Sequence, residues 1–157
     1  MRITLVTVGR TDISWVRDGL EMYVSRLEHY VPFSLKEIPE LKGVSALSTD
    51  QIRQREGEGV LRLVKPADEL VLLDERGREY RSVEFARWLE GRLARSGRDL
   101  VFAIGGAYGF SDAVYARADA KLSLSKMTYS HQLVRTIFAE QLYRAFTMLR
   151  GEPYHHE

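Results

Sequence analysis

Residues 99–112 read Asp99-Leu-Val-Phe-Ala-Ile-Gly-Gly-Ala-Tyr-Gly-Phe-Ser-Asp112. Leu100 to Ile104 run apolar without alternation and end on Gly105, Gly106 and Gly109, after which Ser111 or Asp112 can cap a short helix. A strand that is apolar on both faces needs cover on both, which places it in the middle of a sheet flanked by helices. Outward from this stretch, strand-length apolar runs recur at Ile3–Val8, Phe33–Ile38, Glu69–Leu73 and Leu122–Leu124. Leu70-Val-Leu-Leu73 shares the unbroken apolar character and is the second central strand. Helical spacing separates these runs: Trp15, Leu20, Tyr23, Val24 and Leu27, then Val60, Leu61 and Val64, then Phe85, Trp88, Leu89 and Leu93. The alternation predicts an α/β fold, a largely parallel sheet with helices on both faces.

Composition narrows the class. The four prolines are scattered, and no Gly/Ser linker or long internal repeat divides the chain, so residues 1–157 read as a single domain. Twenty-three basic against 22 acidic residues give +1, spread evenly along the chain, which excludes a basic nucleic-acid-binding arm. Arginine outnumbers lysine 18 to 5, a bias that suits bidentate contacts to phosphate or carboxylate and equally suits exposed helices. The absence of cysteine rules out disulfides, thiolate zinc sites and a cysteine nucleophile, and fits a reducing compartment. Met1-Arg-Ile-Thr-Leu-Val starts as a strand and not as a leader, and no apolar stretch approaches the roughly 20 residues of a membrane span. The expectation is a cytoplasmic protein without membrane contact. Leu41 to Thr49 reads as the longest loop, followed by a helix that Ser48 or Thr49 could cap.

Glycines at the C-terminal end of a buried strand let the backbone turn sharply and approach a ligand, and open α/β sheets bind ligands there. The spacing at Gly105, Gly106 and Gly109 is neither G-x-G-x-x-G nor a P-loop, so dinucleotide and triphosphate sites are not indicated. A tight turn without a ligand, or a flavodoxin-like mononucleotide site, uses the same pattern. A second loop, Leu122-Ser-Leu-Ser-Lys-Met-Thr-Tyr-Ser-His131, brings a dense set of hydroxyls to the start of the last helix, with Ser130 as its N-cap. Lys126 could balance a carboxylate or phosphate there, or be solvated.

The last helix, about His131 to Arg150, carries apolar residues over an arc of about 220° at 100° per residue. A stripe somewhat over 100° suffices to face one core, so the surplus predicts a second buried contact such as a dimer interface. Arg135 falls inside that arc and needs a carboxylate, phosphate or backbone-carbonyl partner, as a site residue or an interface ion pair. Arg144 and Glu140, four apart, read as an ordinary surface pair. Gly151 closes the helix, and the tail Glu152-Pro-Tyr-His-His-Glu157 could hold an aromatic face and an imidazole over a substrate or simply fray. The adjacent histidines lack the spacing of a metal site.

Taken together, Ile3-Thr-Leu-Val-Thr-Val-Gly-Arg with Trp15, Gly105-Gly106 with Gly109, Leu124-Ser-Lys-Met-Thr-Tyr129, Leu142-Tyr-Arg-Ala145 and Pro153-Tyr-His resemble the bacterial RlmH family. These are 23S ribosomal RNA pseudouridine-N3 methyltransferases of the SPOUT (α/β-knot) superfamily, and the resemblance spans essentially the whole chain. It implies one SPOUT domain with a C-terminal trefoil knot, a homodimer, and S-adenosyl-L-methionine held by Leu73, Gly105, Gly106 and the run Leu124, Ser125, Lys126, Met127, Thr128 and Tyr129. The implied substrate is a pseudouridine of 23S rRNA within the assembled ribosome, methylated at N3 without a metal because the sulfonium is already activated. Tyr154, His155, Arg135 and Arg144 are the catalytic candidates the resemblance points to. His156 departs from the family in standing where Arg or Lys is expected. The alternative on the same fold is a non-catalytic ribosome-binding factor.

Overall fold

In the computed structural model, which describes residues 1–95 and 97–156, side chains of alternate parity leave the sheet on opposite sides. Ile3, Leu5, Val71, Leu100, Phe102 and Ile104 enter one core. Val6, Val8, Leu70, Leu72, Val101 and Ala103 enter a second. Both faces are therefore covered, which is why these strands carry no polar alternation.

The elements follow in the order β1 (Ile3–Val8), α1 (Ser14–Leu27), β2 (Phe33–Ile38), α2 (Thr49–Arg62), β3 (Glu69–Glu79), α3 (Ser82–Leu93), β4 (Leu100–Ile104), α4 (Asp112–Arg117), β5 (Ala120–Ser123) and α5 (Leu133–Leu149). The sheet is parallel throughout, with strand order β2-β1-β4-β3-β5. Side chains of α1, α3 and α5 fill the first core, and those of α2 and α4 fill the second. No helix among the described residues is long and apolar enough to cross a membrane.

Local chemistry sets the helix ends. Ser48 caps α2 in a capping box with Gln51, each satisfying the other's backbone amide. Between β2 and α2 the loop contains a single 3₁₀ turn, Val44–Ala46. Ser111 Oγ accepts from Val114 N and caps α4. α5 begins at Leu133, two residues later than the spacing suggested, yet Ser130 Oγ still accepts from Leu133 N at 3.0 Å. At its far end Gly151 donates to Met148 and Glu152 to Thr147, the paired bonds of a Schellman stop.

Three features differ from the sequence reading. β5 is Ala120–Ser123 and not Leu122–Leu124, and Ser123 is buried. β3 continues past Leu73 to Glu79: Leu73 pairs with Leu122, the chain makes an excursion through residues 74–77, and Arg78 returns to the same Leu122. Finally, the apolar arc of α5 is largely consumed inside one chain. α5 packs against both α1 and α3, Phe138 meets Phe102 with centroids 4.7 Å apart, and every residue from Leu133 to Leu149 is buried or half-buried. A helix flanked on two sides and seated on a sheet buries much of such an arc within one chain and leaves Val134, Ile137, Met148 and Leu149 half-buried.

Candidate functional site

Ile104 and Leu122, at the C-terminal ends of β4 and β5, stand side by side with Leu73, the last residue of β3 before its excursion, since Leu73 is in register with both. They floor a cavity of about 1140 Å³. The turn from Gly105 to Gly109 forms one wall. It is closed by a Gly109 N to Gly106 O bond of 3.0 Å, and Gly109 adopts φ +82°, which side chains disfavour. The loop 124–130 forms a second wall, stiffened by Ser123 Oγ donating to Ser125 O at 2.9 Å and Met127 N donating to Ser125 Oγ at 3.0 Å. Leu73, Gly105, Gly106, Leu124, Ser125, Met127, Thr128 and Tyr129 thus line one space, while Lys126 is exposed and does not.

Two further walls escaped the sequence reading. α2 contributes Asp50, Arg53, Gln54, Glu58 and Leu61, and the β3 excursion contributes Asp74, Glu75 and Arg76. The signal for the second was present: Leu-Leu-Asp-Glu-Arg-Gly is an apolar strand ending in polar residues and a glycine, as at β4. Asp74 is nearly enclosed and accepts from the Tyr115 hydroxyl and from Arg76 N at 2.9 Å, while Arg76 Nη2 donates to Tyr115 at 2.8 Å. Burial alone would push the Asp74 carboxyl up. The bonds from Tyr115 and Arg76 outweigh it and hold the carboxyl below its ordinary value. Burial, with the bond to Asp74, pushes the Tyr115 phenol up. Thr128 Oγ1 donates to Glu75 at 2.7 Å and ties the 124–130 loop to the excursion.

Behind the glycine turn sits Glu56 of α2. A Cβ at Gly106 would lie 2.8 and 2.9 Å from its two carboxylate oxygens, and Glu56 Oε1 is buried with no hydrogen-bond partner among the described residues. Burial raises this carboxyl above its ordinary value, and Glu40 raises it further. A group with a raised folded pKa contributes stability below its unfolded value and loses it as pH climbs through the folded one. Glu56→Gln is therefore expected to raise the melting temperature at pH 8, with the gain shrinking toward pH 4. Thermal melts at the two pH values measure this, and an equal or larger gain at pH 4 would refute the electrostatic cause.

Arg135 lies outside the cavity. It is fully enclosed, and its guanidinium donates to Val8 O (2.8 Å), Gly9 O (2.9 Å), Thr11 Oγ1 (2.8 Å) and His131 O (2.9 Å), with Glu37 3.5 Å away. Of the partners its position demanded, backbone carbonyls and the Glu37 carboxylate are both present, so it offers nothing to a ligand and pins the end of β1 to the start of α5. Arg144, Tyr154 and His155 also lie away from the cavity lining but cluster with one another. Arg144 Nη2 donates to Glu140 Oε1 at 2.5 Å, Arg144 Nη1 faces His155 Nδ1 at 3.0 Å, and the Tyr154 hydroxyl donates to Glu140 Oε1 at 3.1 Å. Burial, reinforced by Tyr23 and Glu140, pushes the Tyr154 phenol far above its ordinary value. The tail is anchored further by Tyr30 donating to Glu152 at 2.6 Å, which pushes the Tyr30 phenol up to about 12. His156 is exposed. No group of three or more His, Cys, Asp or Glu suited to a metal is present among the described residues.

The cavity chemistry suits a cationic nucleoside-like ligand. An apolar floor can take a flat heterocycle, and carboxylates outnumber guanidinium groups on the walls, Asp50, Glu58, Asp74, Glu75 and Asp112 against Arg53 and Arg76. Such a surplus repels a polyphosphate and attracts a positive charge.

A family model described as "Predicted SPOUT methyltransferase" matches residues 1–155. Among curated proteins, the chain is 49% identical over 157 residues to "Ribosomal RNA large subunit methyltransferase H" of Parabacteroides distasonis and 50% identical over 157 residues to the protein of that name from Bacteroides fragilis, covering 100% of each chain. It is 48% identical over 156 residues to that of Christiangramia forsetii, covering 99% of each chain.

Proposed function

This chain belongs to the RlmH family of SPOUT methyltransferases, and on that premise we propose that it methylates N3 of a pseudouridine in 23S ribosomal RNA on the assembled ribosome, as a cytoplasmic homodimer using S-adenosyl-L-methionine. The observation that carries the reading is the cavity where the ends of β4 and β5 meet Leu73 and the β3 excursion. Every residue expected to hold the donor lines it except Lys126. When bound, S-adenosyl-L-methionine supplies a methyl group on a cationic sulfur that departs as a neutral thioether. The floor of Leu73, Ile104 and Leu122 would receive the adenine face, and the acidic walls would favour the positive charge. The Gly105–Gly109 turn admits backbone close to the ligand, and Ser125 and Thr128 offer hydroxyls.

As the N–CH₃ bond forms, the N3 proton must leave. Tyr154 is held as a neutral phenol by its raised pKa, so it is suited to donating a hydrogen bond and not to taking that proton. Since His155 Nδ1 accepts from Arg144, a water oriented by this pair is the acceptor proposed for that proton, and Arg144 would hold uracil oxygen or phosphate with its remaining N–H groups. Arg135, being enclosed, acts by positioning the loop that α5 follows. The tail cluster and the cavity lining share no residue within one chain. That separation supports a site completed by the tail of a second copy, with the threaded C-terminal knot of the family shaping the cavity.

Calorimetric titration with S-adenosyl-L-methionine, with flavin mononucleotide in parallel, tests the donor. Saturable binding of the first alone is expected. Gly105→Val should raise its Kd at least about tenfold, or about 1.4 kcal/mol, because a Cβ at Gly105 would already crowd Gly109 at 3.3 Å. Unchanged affinity in a folded variant would refute the site. Labelled donor mixed with assembled ribosomes tests the transfer, and ribosome binding without methylation would move the chain to the ribosome-binding reading.

A further inference from the structure

Glu140 sits on α5 with only 18% of its side chain exposed, beside Arg144 at 25%. An exposed i, i+4 pair contributes a few tenths of a kcal/mol, but this one is shared. Glu140 Oε1 accepts from Arg144 Nη2 at 2.5 Å and from the Tyr154 hydroxyl at 3.1 Å, while Oε2 accepts from Gln141 Nε2 at 2.9 Å. Arg144 passes the restraint on. Its Nη1 stands 3.0 Å from His155 Nδ1, and since a guanidinium only donates, Nδ1 must accept. The same guanidinium lies 5.0 Å above the Tyr154 ring. Tyr154 is bounded otherwise by the Tyr23 hydroxyl at 3.2 Å and the Tyr143 ring at 4.7 Å. One carboxylate oxygen thus fixes two consecutive tail residues, Tyr154 directly and His155 through Arg144.

We propose that Glu140 is a positioning residue for the methyl-transfer step, setting the orientation of both Tyr154 and His155 from α5 without itself touching donor or target. This rests on the function proposed above for the tail. A carboxylate is suited because it can accept from two donors at one oxygen with charge assistance, which a neutral amide does only weakly. Glu140→Gln keeps the shape and removes the charge.

With labelled donor and assembled ribosomes, Glu140→Gln is expected to lower kcat at least about tenfold while leaving donor Kd and ribosome KM within about twofold. Glu140→Asp, with the carboxylate retained but withdrawn, should fall between, and it stands in if the glutamine variant does not fold. Ultraviolet titration of the tyrosines supplies a readout independent of turnover. The Tyr154 phenol faces Glu140, Tyr23 and Arg144, and losing the carboxylate should bring its ionisation to lower pH. Unchanged kcat in a folded variant overturns the proposal, as does an unchanged Tyr154 titration. If the unaltered protein transfers no methyl group, the proposed function has failed, and the tyrosine titration still decides whether Glu140 holds the tail.

Discussion

Gly77→Ala is expected to destabilise the protein by about 3 kcal/mol, at the upper end of what overpacking a filled site costs, and to weaken donor binding more than tenfold. The cause is contact, not conformational freedom. A Cβ at Gly77 would lie 2.6 Å from the carbonyl carbon of Lys121 and 2.7 and 2.8 Å from backbone atoms of Leu122. Those are main-chain atoms of β5, which is clamped to β3 on both sides of the excursion by the pairs Leu73–Leu122 and Arg78–Leu122. A flexible side chain could swing away, but this strand cannot. The excursion must lift, and it carries Asp74, Glu75 and Arg76, which line the cavity and tie it to Tyr115 and Thr128. Gly91→Ala is the control. It stands in α3 with nothing within 4 Å, and alanine in a helix interior is favoured over glycine by roughly 0.5–1 kcal/mol. Denaturant unfolding of both variants, with calorimetric titration of the donor, measures the contrast. A Gly77 variant as stable as the Gly91 variant would show that the excursion does not lie against β5 as described.

What the sequence discloses of this arrangement follows the range of the interactions that build it. The runs Ile3–Val8, Phe33–Ile38 and Leu100–Ile104 coincide with β1, β2 and β4, because burial on one or both faces writes itself into consecutive residues. Caps at Ser48 and Ser111 are equally local, each made within three residues. The β3 excursion is not local. Asp74 to Glu79 looks like a solvated charged run until β5, more than 40 residues later, supplies the strand it pairs with. Periodicity likewise records how much of α5 is covered but not by what, so an arc buried by α1 and α3 resembles one left for a second copy. Arg144 and Glu140 look exposed for the same reason: the groups that cover them, Tyr154 and His155, arrive from a tail with no periodicity at all. The glycine turn and the 124–130 loop announced themselves through strand-end chemistry, whereas the α2 wall, made of ordinary surface residues, carries no local mark.

Arg135→Leu is expected to cost about 3–5 kcal/mol, the range for removing one partner from a buried charged network. At about 2–4 °C per kcal/mol for a chain of this size, the melting temperature should fall by roughly 6–20 °C. Leucine fills part of the volume but leaves the carbonyls of Val8, Gly9 and His131 without the donors they now have, and it strands Glu37 beside Thr11. Burial lowers the affinity of this guanidinium for its proton, and Glu37, Asp12 and Glu40 partly offset that, so the charge is retained in the core by its surroundings. Lysine should recover only a fraction of the loss, because a single ammonium cannot fork between the end of β1 and the first turn of α5. The functional consequence follows from where the network ends. His131 lines the cavity, and Gln132, which donates to Arg10 O at 2.8 Å and accepts from Asp12 N at 3.1 Å, holds the same junction. Freed from Arg135, the 124–130 loop would keep Glu75–Thr128 as its tie to the excursion and Gln132 as its tie to residues 10–12, but lose the guanidinium that joins it to Val8 and Gly9. Donor affinity should then fall at temperatures well below the melt, where the bulk of the protein is still folded. A leucine variant that loses less than about 1 kcal/mol, the usual range for exposed residues, would contradict the enclosed network. One that is destabilised but binds donor normally would separate the stability of the β1–α5 junction from the shape of the cavity.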